Sequence, residues 1–195
     1  MSARRVVFKV AFALSLLTVV AWACAKSPES PGTMLMDRMR QLAQTPALTF
    51  ELIQETLEVA FVRDAAASHD MVTFFVGTPR PGSRFEGLIK LVDCRVPTPQ
   101  NTALLEPFVV VELQEAGGKR ATNVDQRATP LSAGEVVTKY GQPDSFQPAQ
   151  PENSESSGGY IYRMGSRSLW LSLGRQVADE VRWISIHPLE GVRKP

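Results

Sequence analysis

Hydrophobic positions along this chain fall into three kinds of pattern, and each predicts a different kind of element. The first is nearly continuous: Val10 to Ala23 is apolar except for Ser15 and Thr18, and Arg4, Arg5 and Lys9 precede it. A bilayer-crossing helix needs roughly 20 apolar residues, so this shorter run, ending in Ala21-Trp22-Ala23, is expected to be a signal peptide over residues 1–23. Cleavage fits after Ala23, which leaves Cys24 first, or after Ala25. The following stretch to Gly32 is polar and rich in Pro and Ser, a composition that disfavours regular packing and predicts a tether over 24–32.

The second pattern is helical. Leu35, Met39 and Leu42 are spaced four and three apart, and Pro46 closes the segment. Leu48-Thr49-Phe50-Glu51-Leu52-Ile53-Gln54-Glu55-Thr56-Leu57 has the same form as Leu131-Ser132-Ala133-Gly134-Glu135-Val136-Val137-Thr138-Lys139-Tyr140. Both run Leu, hydroxyl, three residues, branched aliphatic, three residues, large apolar. The hydroxyl residue is suited to cap free helix amides, the two later apolar positions lie one turn apart on one face, and Ser132 with Glu135 forms a capping box.

The third pattern is that of strands. After the first helix come Met71–Val76, Arg84–Val96 and Phe108–Leu113; after the second come Gly159–Met164, Ser168–Leu173 and Val181–His187. These runs are rich in β-branched and aromatic residues and bounded by turn formers. The predicted fold class is therefore α+β: two helix-plus-antiparallel-sheet units in tandem, over 33–127 and 128–195, with helices on one face. Gln142 to Gly159 is expected to be a long polar loop.

Composition narrows the function. The 195 residues are 44% hydrophobic and 21% charged, which is globular, and a net charge of +1 leaves no basic excess for nucleic acid. Removal of Arg4, Arg5 and Lys9 with residues 1–23 takes that charge to −2, which disfavours electrostatic binding to membranes. Two Cys and two His without a Cys-x-x-Cys supply neither a conventional zinc site nor a disulfide framework, so no metal and no cofactor is expected. Cys94, inside the apolar run Leu88 to Val96, is expected to be a small buried thiol, with a disulfide to Cys24 as the competing reading. Catalytic motifs of the Gly-x-Ser-x-Gly or His-Glu-x-x-His kind are lacking. Ser68-His69-Asp70 has triad residue types, but sequence neighbours do not adopt triad geometry, and a polar loop is expected there. The sequence therefore predicts no enzyme and no catalytic residues.

Two resemblances add to this. Val20-Ala21-Trp22-Ala23-Cys24 resembles a bacterial lipobox, which implies lipidation of Cys24 and an N-terminal lipid anchor in the outer membrane, facing the periplasm. The short helix, Tyr140-Gly141-Gln142-Pro143-Asp144, a loop, the aromatic strand Tyr160-Ile161-Tyr162 and two further strands resemble the small outer-membrane assembly lipoproteins of the SmpA/OmlA type. The tandem arrangement is similar to the β-lactamase-inhibitor protein. That similarity concerns architecture, since only one Cys lies within the repeats.

Strand alternation indicates where a partner binds. Leu169, Leu171 and Leu173 share one face of their strand and mark the helix-covered side, which leaves Trp170 on the outer face. Tyr160, Tyr162 and Trp183 are expected to join it, and large aromatics on a polar sheet face are suited to anchor a protein partner. The competing reading puts the tryptophans beneath the long loop or in the joint between halves. The expected function is that of a non-catalytic envelope protein that neutralises a protein partner, an immunity or inhibitor protein against a toxic hydrolase. An outer-membrane assembly or scaffold lipoprotein is the alternative.

Overall fold

A computed structural model describes residues 29–101, 106–114, 131–149, 156–174 and 179–188. The segment expected to be a signal peptide, Cys24 with the expected lipidation or competing disulfide, and most of the expected tether lie outside these residues. Among the described residues no helix is long and apolar enough to cross a membrane.

The fold is α+β, with three helices and one eight-stranded antiparallel sheet among the described residues. The helices are α1 (Pro31–Gln44), α2 (Phe50–Thr56) and α3 (Ala133–Tyr140). The strands are β1 (Val59–His69), β2 (Val72–Pro79), β3 (Ile89–Pro97), β4 (Phe108–Leu113), β5 (Ser145–Pro148), β6 (Ser156–Met164), β7 (Arg167–Gly174) and β8 (Val181–Pro188). The sheet runs β1-β2-β3-β4-β8-β7-β6-β5, so strands from the two halves of the chain meet where β4 pairs with β8.

The helix starts form where the sequence places cap residues. Ser30 and Thr49 accept the amides of Thr33 and Leu52, each at 3.2 Å. Ser132 accepts the Glu135 amide at 3.1 Å while the Glu135 carboxylate takes the Ser132 amide at 3.0 Å, which completes the capping box. Gly141 ends α3 at a φ of 86°, a conformation that carries little strain only without a Cβ. Pro31 occupies the first turn of α1, so this helix begins within the segment expected to be a tether.

Strand alternation then builds the core on one side of the sheet. Phe61, Gly77, Val92, Val111, Ile184, Leu171, Tyr160 and Phe146 form a cross-strand row through all eight strands. Beside it runs Phe75, Cys94, Val109, Ile186, Leu169 and Tyr162. α1 lies over β6, β7 and β8 and buries Leu35, Met36, Met39 and Leu42 completely. α2 covers β1, where the Phe50 ring sits 5.0 Å from Phe61 and 4.4 Å from Phe75. Gly77 is required by that packing, because a Cβ there would meet the Phe61 ring at 2.7 Å. Cys94 is fully buried in this layer, and burial, with Asp93 beside it, pushes its thiol up to about 12. It is an inert core side chain, as the sequence suggested.

Two polar devices lock the helices to this layer. Arg167, 2% exposed, donates through Nε to Glu106 at 2.8 Å and through Nη1 to the carbonyls of Ala43 and Thr45, which satisfies the C-terminal end of α1. Between α1 and α3, the Tyr140 hydroxyl donates to Asp37 at 2.6 Å and Lys139 Nζ lies 2.7 Å from the same carboxylate. Partial burial raises the Asp37 carboxyl, but these bonds outweigh it and hold the group below its usual range.

Several expectations need correction. Each half contributes four strands: β1 and β5 were unforeseen, and β5 lies inside the segment expected to be a loop. The run Arg84–Val96 is a turn through Leu88 followed by β3. Tyr160 and Tyr162 are on the helix-covered face, opposite Trp170. Tyr162 pairs with Leu169, is 4% exposed and donates its hydroxyl to the Gly141 carbonyl at 3.1 Å, so its ring packs as core while its polar tip is satisfied.

These contacts set the order of mutational costs. Ile53→Ala and Val136→Ala remove fully buried methyl groups and are expected to destabilise by about 1–4 kcal/mol, with about 1 kcal/mol for Ser132→Ala. Arg167→Ala, which strips a buried charge from its carboxylate and its carbonyls, should cost about 3 kcal/mol. Lys90→Ala, which removes an exposed partner of Glu112, should cost less than about 1 kcal/mol. Urea unfolding followed by circular dichroism checks this ranking.

Candidate functional site: the uncovered sheet face

The opposite face of the sheet has no helix over it among the described residues, yet large apolar side chains stand among its polar ones. The register places Val62, Val76, Asp93, Val110, Ser185, Trp170, Ile161 and Ser145 in one row across all eight strands. On one side of it lie Asp64, Phe74, Arg95 and Phe108, and then His187, Ser168 and Arg163. On the other lie Leu91, Glu112, Trp183 and Ser172. Trp170 and Trp183 therefore share this face. Phe74, Arg95, Phe108 and His187 belong to it as well and were not singled out from the sequence.

The aromatic groups are organised by contact with each other. Trp170 stacks on His187 with ring centroids 4.4 Å apart and planes at 26°, and Phe108 meets the other side of the chain of rings edge-on, 4.7 Å from His187. Farther along, the Arg95 guanidinium stands 5.2 Å from Phe108 and 5.2 Å from Phe74, a cation held between two ring faces. The stack is also fixed by hydrogen bonds: Trp170 Nε1 donates to Ser168 Oγ at 2.7 Å, and Ser185 Oγ lies 2.8 Å from His187 Nε2. These bonds satisfy the polar edges of a half-buried aromatic surface and hold its rotamers, so little side-chain freedom is left to lose on binding. Val62, 71% exposed, extends the apolar band to the sheet edge.

The charged groups on this face are unequal. Glu112 pairs with Lys90 at 2.7 Å, and Asp64 accepts the amides of Ala66 and Ala67 at 3.0 and 3.1 Å. Asp93 is half-buried between Val76 and Val110, and that burial raises its carboxyl despite the nearby Arg95. Burial likewise pushes the His187 imidazole down to about 4, so it is neutral at ordinary pH and stacks as a neutral ring.

The Ser185–His187 contact has the distance of a nucleophile–base pair, but its surroundings are those of a packing contact. Ser185 is 8% exposed, and no carboxylate among the described residues bonds the other imidazole nitrogen. Ser68, His69 and Asp70 are each engaged in local structure instead of with one another. Ser68 Oγ donates to the Asp64 carbonyl and accepts the Phe74 amide, and His69 Nδ1 accepts the Met71 amide at 3.3 Å. The Asp70 carbonyl accepts from Thr98. Among the described residues no three His, Cys, Asp or Glu side chains are grouped to hold a metal ion.

The buried imidazole links this face to pH. Its folded-state value is depressed from 6.5 to about 4, so the unfolded chain takes up the proton first as pH falls. The stabilisation is complete above about pH 6.5 and is lost between there and about pH 4, amounting to on the order of 2 kcal/mol. Asp37 and Glu58, whose carboxyls are held low, lose their contributions at still lower pH. Subtracting the urea-unfolding curve of His187→Phe from that of the wild type across pH 4–7 should isolate the imidazole's slope. Identical pH dependence of the two proteins contradicts it.

No family model matches the chain, and no curated protein matches it. Among solved structures it is similar to a DUF4309 family protein, YjgB, from Bacillus subtilis. The two share 9% sequence identity with a TM-score of 0.46, over 81% of this chain and 97% of that one.

Proposed function

We propose that this chain is a non-catalytic envelope protein that binds and neutralises a protein partner through its uncovered sheet face, acting as an immunity or inhibitor protein against a toxic hydrolase. The observation that carries the proposal is the aromatic stack on that face, Phe108, His187 and Trp170, whose rings are pre-ordered and whose polar edges are already bonded within the chain. Contiguous apolar surface of this kind, set among polar groups, is characteristic of protein interfaces, and tryptophan is the residue type whose truncation costs such interfaces most. Export to the periplasm and lipid anchoring at Cys24 are part of the same proposal and rest on the apolar run Val10–Ala23 with its Ala-Trp-Ala-Cys ending.

The same reading treats the chain as two helix-plus-sheet units in tandem. It is supported by the order of elements: α2 is followed by β1–β4 and α3 by β5–β8, each set in sequence order outward or inward from the β4–β8 seam. Thr49 and Ser132 open the two helices at corresponding positions. In this arrangement the aromatic stack straddles the seam, with Phe108 from one unit and His187 and Trp170 from the other.

The test uses a partner captured from periplasm and purified. Addition of this chain should suppress the partner's hydrolytic activity. Trp170→Ala should weaken the complex by about 2 kcal/mol or more with the fold intact, and Trp183→Ala should act in the same direction. Leu171→Ala, on the covered face, should reduce stability first, by about 2–4 kcal/mol. Calorimetric affinity with circular dichroism on the same samples separates the two effects. Unchanged affinity for both tryptophan variants removes the face as the binding site.

A further inference from the structure

The uncovered face also carries information about the charge of what it binds. Two of its acidic groups are engaged within the chain, Glu112 with Lys90 and Asp64 with two backbone amides, while Asp93 is half-buried between valines near Arg95. Arg95 and Arg163 are both exposed, and among the described residues neither guanidinium has a hydrogen-bond acceptor. For Arg95 the two ring contacts with Phe74 and Phe108 hold the planar group in position. A guanidinium so placed is prepared for bidentate binding of a carboxylate, and stacking reduces the side-chain freedom that such binding would otherwise remove.

Arg95 and Arg163 lie on β3 and β6, separated by four strand-to-strand steps, or about 19 Å across the sheet. Between them are Phe108, His187 and Ser168, with Trp170 in the adjacent row. An extended segment of about six residues spans that distance.

We propose that the face recognises an acidic segment of its protein partner, laid across the strands with one carboxylate on Arg95 and another on Arg163 and with apolar side chains on the Phe108–His187–Trp170 stack. This rests on the reading of the face as a partner-binding surface and adds to it the charge and span of the partner's contact segment. The two guanidinium groups set the sign, since a basic segment would meet them with like charge.

The test needs no identified partner. Full-length protein is titrated with a hexaglutamate peptide, with hexalysine as control, while the arginine Nε–Hε resonances are followed by NMR. The Arg95 and Arg163 signals should shift with hexaglutamate and not with hexalysine. Arg95→Gln and Arg163→Gln should each weaken binding about tenfold, Arg95→Lys should recover only part of the loss, and Arg38→Gln on α1 should bind as the wild type does. Absence of shifts at both arginines up to millimolar peptide overturns the proposal, as does equal binding by Arg95→Gln or equal response to hexalysine. Such a failure leaves the partner-binding reading standing on the tryptophan variants, whereas unchanged affinity in those variants removes that reading independently of the arginines.

Discussion

Among the described residues three helices, of 14, 7 and 8 residues, shield one side of an eight-stranded sheet, and most of the described fold follows from that constraint. The shielded side has to exclude water, so its cross-strand row is apolar from Phe61 to Tyr160, and Arg167, a charged group buried on that side, is bonded to Glu106 and to the end of α1. α1 is the largest part of the shield. It precedes every strand in sequence yet covers β6, β7 and β8, which come last, so the two ends of the chain are tied into one core. A helix of this length is marginal alone, and its stability comes from burying Leu35, Met36, Met39 and Leu42 against strands far away in sequence.

The unshielded side solves a different problem. Large aromatics exposed to water on a flat sheet invite unspecific association. Here they are partly buried against one another, with Trp170 on His187, His187 against Phe108 and Arg95 between Phe108 and Phe74. The sheet edges are also managed. β5 is four residues long and ends in Pro148, and β1 is interrupted between Asp64 and His69, where Asp64 takes the Ala66 and Ala67 amides. With both edges blunted, the ordered aromatic band is the surface on which the proposed recognition rests.

Much of this is legible in the sequence wherever a local rule acts alone. Thr49 and Ser132 announce helix starts because a hydroxyl before an apolar period has a direct role in capping, and Leu169, Trp170 and Leu171 alternate because a strand's side chains must. Tyr160 and Tyr162 were misplaced because alternation gives parity within a strand but not which parity faces the core. That is set by the register, Tyr162 against Leu169, and by the Gly141 carbonyl that satisfies the Tyr162 hydroxyl. β1 is obscured by the run Ala65-Ala66-Ala67 and a bulge, and β5 by its brevity and its proline. Phe74, Arg95, Phe108 and His187 were missed because they come from four different strands, though one signal was present: Phe74-Phe75-Val76 is apolar at both parities, as a strand with two nonpolar faces must be.

The central claim is that one face of the sheet is sealed and the other is open to solvent with its aromatics aligned. Hydroxyl-radical footprinting of the full-length protein, read residue by residue by mass spectrometry, tests it most directly, because oxidation rates follow side-chain access. The account predicts that Phe74, Phe108, Trp170 and Trp183 are labelled, while Tyr162, Phe85, Met36 and Met39 are protected until the protein is unfolded. Labelling of Tyr162, Met36 and Met39 at rates equal to those of Trp170 and Trp183 in the native protein would contradict it.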